Sequence, residues 1–168
     1  MTITKKTVAV ISTTAAIAGA TILGAGAATA EPRAVEFTRT IQNVYYNQNL
    51  DYRNTPQVKT QLPGGDFQNW TFKLVGQTAD GTGIYTIRWG EVSCITNLGL
   101  DKDVITNACD DLNLAQRWIV ETTSGQTTIA SQKSPNQVLQ ANGNDEVVTT
   151  TPVFGDPSPK QLWTLYKP

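Results

Sequence analysis

Gln68-Asn69-Trp70, Gln116-Arg117-Trp118 and Gln161-Leu162-Trp163 are one triplet pattern written three times in a chain that has four tryptophans. The three tryptophans stand 48 and 45 residues apart, near a single period. Each opens a strand-like stretch: Thr71-Phe72-Lys73-Leu74, Ile119-Val120-Glu121 and Thr164-Leu165-Tyr166. Upstream of each triplet, three apolar residues recur in the same order. They are Ile41, Leu50 and Val58, then Ile87, Ile95 and Val104, then Ile129, Leu139 and Val148. The intervals between them differ by only two or three residues, the amount by which connecting loops vary. A fixed period of this length marks a repeated structural unit. The units are residues 33–76, 77–122 and 123–168. Trp89 falls outside the register and is assigned to the surface or rim.

No stretch sustains a 3.6-residue apolar period. Short runs of apolar residues and threonine dominate instead, such as Phe37 to Ile41, Trp70 to Val75, Tyr85 to Trp89 and Val147 to Val153. Turn-forming clusters separate them, among them Pro63-Gly64-Gly65-Asp66, Asp80-Gly81-Thr82-Gly83, Ser124-Gly125 and Asn142-Gly143-Asn144. Many short strands punctuated by Gly, Asn and Pro predict an all-β barrel or sandwich. Three alike units of about four strands each, closed about one axis, would pool their apolar faces and leave few sheet edges. The tryptophans of the triplets then form the heavy apolar mass near the core, each burying some 150–250 Å².

The first 30 residues read differently. Lys5 and Lys6 precede an uncharged run from Val8 to Ala28, and Ala28-Thr29-Ala30 has the small-x-small form of a cleavage site. A positive start, an apolar middle and that ending predict a secretory signal peptide over residues 1–30. The competing reading is a membrane anchor, for which the run is long enough but too rich in Ala, Gly and Thr. Cleavage leaves 138 residues, enough for one domain with one core. Export permits oxidation, and the chain has two cysteines, Cys94 and Cys109. A disulfide between them is the expected state; a metal pair and a reactive thiol are the alternatives. Two thiolates without histidine make a poor zinc site, and no base stands near to serve a nucleophile.

Composition removes several kinds of chemistry. The chain has no histidine, which rules out any imidazole base. After the leader it carries 11 Lys and Arg against 14 Asp and Glu, so no polybasic footprint for nucleic acid exists. Asp101-Lys102-Asp103 and Asp110-Asp111 are acidic clusters that lack the alternating oxygens and sharp Gly turn of a calcium loop. Solvated loop faces explain them, and no metal or cofactor is implied. Gly81 and Gly83 are followed by neither Lys-Ser nor a helix, so they form no phosphate loop. Asn69-Trp70-Thr71 has the form of a glycosylation site, discounted because its tryptophan belongs in the core.

Three Gln-x-Trp triplets in register make the chain from about Arg33 to Pro168 resemble the ricin B-type β-trefoil family. The resemblance implies a β-trefoil over residues 31–168. It also implies a disulfide inside a repeat, from the strand of the second anchor to the strand after the third. Cys94 and Cys109 stand at those places in the middle repeat, while Asn49 and Val138 replace the first cysteine in the others. Binding of sugars in a shallow pocket on each repeat is the function the resemblance implies. There a carboxylate takes two hydroxyls, a ring stacks on the sugar and an Asn before the triplet adds a hydrogen bond. That chemistry suits a ligand with paired hydroxyls on one side and C–H groups on another.

Carried over residue by residue, the carboxylate position holds Asp51, Thr96 and Gln140, and only Asp51 fits. The Asn position holds Phe67, Ala115 and Lys160, and the ring position falls near Gln61, Asn107 and Thr151; none of these fits. The one candidate pocket is therefore in the first repeat. There Asp51 would accept hydroxyls, Gln61 and Gln68 would donate, and Tyr52 or Tyr45 would supply a ring. The competing reading makes Asp51 a turn residue that caps its own backbone. Gln68, Gln116 and Gln161 read primarily as structural, tying a turn to the tryptophan strand.

The expectation is a secreted, non-catalytic, monomeric carbohydrate-binding module with at most one live pocket, no nucleic-acid partner and no stable membrane anchor after cleavage. The alternative is a trefoil with decayed sugar sites that binds a protein, as a toxin accessory subunit or a secreted protease inhibitor. Its contact loops would be Asn54 to Asp66 and Phe154 to Lys160. An enzyme is the least supported class, since no catalytic constellation is visible.

Overall fold

In a computed structural model, residues 35–53 and 55–168 are described; the signal peptide expected over residues 1–30 lies outside them. The described chain has twelve strands and two single-turn 3-10 helices. The first repeat holds β1 (Glu36–Asn43), β2 (Asn49–Asp51), β3 (Lys59–Gln61) and β4 (Asn69–Gln77). The second holds β5 (Gly83–Trp89), β6 (Ser93–Asn97), β7 (Val104–Ala108) and β8 (Arg117–Thr123). In the third are β9 (Gln126–Ser131), β10 (Ser134–Gln140), β11 (Thr149–Pro152) and β12 (Trp163–Tyr166). The short helices, Leu114–Gln116 and Pro159–Gln161, lead into β8 and β12.

The first and fourth strands of each repeat form a ring. β1 pairs with β4, β4 with β5, β5 with β8, β8 with β9, β9 with β12, and β12 with β1, all antiparallel. Six strands thus close a barrel and leave no edge exposed along the ring. The second and third strands of each repeat form hairpins, β2–β3, β6–β7 and β10–β11. These hairpins meet around the axis of the molecule. The Val58 N–H donates to Val104 O (3.0 Å), the Val104 N–H to Val148 O (2.8 Å), and the Val148 N–H to Val58 O (2.9 Å). That closed triangle of third anchors is a direct mark of threefold symmetry. The fold is a β-trefoil.

All nine anchors and the tryptophans Trp70, Trp118 and Trp163 are fully buried in one core, joined by Phe72 and Ala141. A buried indole needs an acceptor for its N–H. Here the acceptor is always the carbonyl of the second anchor: Leu50 O at 2.9 Å from Trp70 Nε1, Ile95 O at 3.1 Å from Trp118, and Leu139 O at 3.1 Å from Trp163. Each bond ties a barrel strand to the hairpin of its own repeat.

Local chemistry sets the turns. Ser124 and Gly125, between β8 and β9, both have positive φ, the backbone that a two-residue hairpin turn requires. In the β4–β5 turn, the Thr78 hydroxyl donates to Asp80, and the Thr82 N–H adds a second donor. The hydroxyl first, and the amide after it, hold the Asp80 carboxyl below the usual carboxylate range.

Cys94 and Cys109 form a disulfide that closes the β6–β7 hairpin of the middle repeat. The Cys109 N–H also bonds Val92 O at 3.0 Å, and in the third repeat the Val153 N–H bonds Asn136 O at 2.9 Å. Val138 and Val153 therefore stand where the second repeat has its two cysteines.

Two measurements check this account. Trp118→Ala empties a fully buried indole site and should cost about 3–5 kcal/mol in urea unfolding. Replacing both cysteines by alanine should cost about 3 kcal/mol, since the bridge spans 15 residues of sequence. A smaller loss would show that the hairpin is held by its backbone bonds alone.

Candidate functional site

The triplet glutamines organise the surface above each tryptophan. Their geometry repeats while their partners change. The Gln68 Nε2 donates to Leu62 O at 2.8 Å, Gln116 to Ala108 O at 2.9 Å and Gln161 to Pro152 O at 3.2 Å. Their carbonyl oxygens accept backbone N–H groups of the following loop, from Gly64, Asp110 and Ser158. Each amide thus fastens the end of the third strand to the loop before the fourth, with both of its polar ends satisfied.

The remaining Nε2 hydrogen finds a different group in each repeat. In the second it meets Thr96 Oγ1 at 3.3 Å and in the third Thr151 Oγ1 at 2.8 Å. Gln140, at the third repeat's carboxylate position, accepts from that same Thr151 hydroxyl. The first repeat alone uses a charge, with Gln68 Nε2 3.1 Å from Asp51 Oδ2. Asn49, at the position of Cys94, donates to Gln68 Oε1 at 2.7 Å and completes the cluster.

Asp51 ends β2 and is 1% exposed. Gly65 covers it: a Cβ built on that glycine would lie 3.2 Å from Asp51 Oδ2 and 3.1 Å from Gln68 Nε2. Glycine lets the 62–66 loop approach this closely, where a Cβ would push its neighbours back by a few tenths of an ångström. Among the described residues Asp51 Oδ1 has no hydrogen-bond partner. Its nearest cation is Arg53, whose Nε stands 3.5 Å away on a side chain that is 55% exposed.

The structure brings Asp51 and Gln68 together, packs Tyr52 on Trp89 and directs Gln61 and Tyr45 elsewhere. Gln61 donates to Asp145 of the third repeat, and Lys59 approaches the same carboxylate. These two residues lie on one face of β3, because side chains alternate along a strand. The Tyr52 ring is half-buried and packs on Trp89, with centroids 4.7 Å apart. Phe67, at the family's Asn position, lies 5.7 Å from Trp89 on the same cluster. Tyr45 is exposed, packs edge-on against Tyr46 and carries the Lys160 ammonium above it. Trp89 is thus a half-buried link between the first two repeats. Sequence reasoning left out Asn49, Arg53 and Trp89 as neighbours of this site. Arg53, two residues past Asp51, was the one with a visible signal.

No group of three or more metal-ligating side chains occurs among the described residues, and no helix there is long and apolar enough to cross a membrane.

No protein-family model matches the chain, and no curated protein matches it by sequence. Solved structures do match. A designed threefold-symmetric protein, ThreeFoil, superposes with a TM-score of 0.62 at 17% identity, over 78% of this chain and 99% of that one. The Macrolepiota procera ricin B-like lectin in complex with lactose gives 0.61 at 16% identity, over 79% and 96%. SeviL bound to asialo-GM1 saccharide gives 0.58 at 20% identity, over 77% and 96%. The fold is that of the ricin B-like β-trefoils. At these identities the likeness is one of architecture.

A carboxylate buried with one open oxygen costs stability that a neutral group would not. Asp51→Asn keeps an acceptor for Gln68 and removes the charge. Its unfolding free energy in urea should equal the parent's or exceed it, by up to about 2 kcal/mol. A clear loss would show that the Arg53 pair repays the burial.

Proposed function

We propose that the chain is a secreted, non-catalytic carbohydrate-binding module with one live pocket, in the first repeat, centred on Asp51. One observation carries the reading. Threonine hydroxyls hold Gln116 and Gln161 without any charge, so the fold does not need a carboxylate beside Gln68. The first repeat nevertheless buries one and leaves Oδ1 without a hydrogen bond, faced only by the Arg53 Nε at 3.5 Å. An unsatisfied buried acceptor of this kind points to a ligand donor. A sugar hydroxyl suits it, because a charge-assisted hydrogen bond to a neutral donor needs no compensating cation.

Access runs past Arg53. Its ion pair with Asp51 is long and half in solvent, so moving the guanidinium aside costs at most about 1 kcal/mol. Gln68, fixed at both ends, keeps Asp51 in place when the arginine leaves. This reading assigns the C–H side of the sugar ring to the cluster of Tyr52, Phe67 and Trp89, which begins one residue after Asp51. The ricin B-like lectin in complex with lactose and SeviL bound to asialo-GM1 saccharide support the reading by analogy of fold. Export and a disulfide-bonded hairpin fit an extracellular site of action.

The alternative of a protein-binding trefoil, as a toxin accessory subunit or protease inhibitor, is favoured by a separate feature. Phe154 is 87% exposed at the tip of the loop before the last triplet.

Titration with lactose, galactose and N-acetylgalactosamine, followed by tryptophan fluorescence, tests the sugar reading. A saturable change is expected, reported by half-buried Trp89. Asp51→Asn should weaken binding at least tenfold, in line with about 1.5–3 kcal/mol for a charge-assisted bond. Arg53→Ala should leave affinity equal or higher. Silence at millimolar sugar, or full binding by Asp51→Asn, would remove the proposal.

A further inference from the structure

The third repeat carries a groove of about 630 Å³ between the β8–β9 hairpin and the 153–157 loop. Ala130, Val138, Val153 and Leu162 give it an apolar floor. Glu121 and Asp156 line it as well, no Lys or Arg does, and neither acid has an ion-pair or hydrogen-bond partner among the described side chains.

The second repeat shows what this place looks like when filled from within. Glu121 follows Trp118 by three residues and pairs with Thr128 across the sheet; Lys73 follows Trp70 by three and pairs with Thr86. Thr128 and Thr86 each precede a first anchor, Ile129 and Ile87. Lys73 and Glu121 are therefore equivalent positions. Asp111 stands five residues before Gln116, as Asp156 does before Gln161. There Lys73 of the first repeat and Asp111 of the second form an ion pair across the gap, and the Cys94–Cys109 bridge lies at the positions matching Val138 and Val153. At the groove Asp156 keeps the acid, Glu121 of the second repeat stands where the lysine was, and two valines replace the disulfide. The result is an apolar trough with a doubled negative charge in place of an internal salt bridge.

We infer that this groove docks a lysine side chain presented by a protein partner, with aliphatic residues beside it. The methylene stem lies along Ala130, Val138 and Val153, as long basic side chains do over apolar surface. The ammonium sits between Glu121 and Asp156, at the place matching that of Lys73 beside Asp111. Phe154, on the loop that walls the groove, adds an exposed ring for the flanking aliphatic residues. The site shares no residue with the Asp51 pocket, so each stands or falls alone.

The test is an amide-detected NMR titration with the peptide acetyl-Ala-Leu-Lys-Leu-Ala-amide and its norleucine analogue, which keeps the stem and lacks the ammonium. The lysine peptide should give saturable shifts at residues 123–128 and 153–157. The norleucine analogue should bind roughly tenfold more weakly or worse. Glu121→Lys reproduces the Lys73–Asp111 arrangement against Asp156 and should abolish binding. Glu91→Lys makes the same charge change on an exposed residue away from the groove and should leave binding intact. Glu121→Gln, which adds no cation, should weaken it. The inference is overturned by any of four results: no saturable shift at millimolar peptide, shifts centred elsewhere, equal binding of the norleucine peptide, or unchanged binding by Glu121→Lys.

Discussion

Three indole N–H groups need acceptors inside an apolar core, and the fold is arranged so that each finds one. Trp70, Trp118 and Trp163 are fully buried, and water cannot satisfy them there. The carbonyl of Leu50, Ile95 or Leu139 must therefore be presented at a fixed distance and angle. That requirement couples the barrel strand of each repeat to its hairpin. The hairpins in turn lock to one another through the Val58, Val104 and Val148 triangle. Barrel, hairpins and axis follow from repeating one short-range constraint three times. A ring of six antiparallel strands then leaves no edge to protect.

Above the indoles the repeats are free to diverge, because each glutamine needs only an oxygen for its spare N–H. Thr96 and Thr151 provide it without charge, and Asp51 provides it with one. The neutral partners show that the fold does not require the charged one. The same freedom appears one strand away. Asn49, Cys94 and Val138 occupy one position and produce an amide network, a disulfide and an apolar groove floor respectively. Internal symmetry thus acts as a control within the molecule. Departures of one repeat from the others single out Asp51 and the Glu121–Asp156 groove, where no conspicuous motif does.

Much of the architecture was legible beforehand for a physical reason. Barrel strands such as Phe37 to Ile41, Tyr85 to Trp89 and Leu162 to Tyr166 must bury one face, so they advertise themselves as apolar runs. The hairpin strands were nearly silent. β2 and β3 have three residues each and read Asn-Leu-Asp and Lys-Thr-Gln. One anchor or none per strand is too little for periodicity to register. Trp89 was read as rim because it breaks the repeat register, and it lies half-buried against Tyr52 across the junction of two repeats. A contact between units cannot be seen in a pattern defined within one.

By itself the sequence determined the threefold repeat and the anchor positions and offered the two cysteines, while Asp51 became the one acidic candidate through the resemblance to the ricin B-type family. These are matters of residue type and spacing, which chain chemistry writes in one dimension. Only the tertiary structure decided where the side chains point. It sent Gln61 to Asp145, laid Gly65 over Asp51 and left Oδ1 open. It also set Glu121 and Asp156 in one trough although 35 positions separate them in the chain. Such pairings depend on the closure of the barrel, which brings the end of one repeat against the loops of the next.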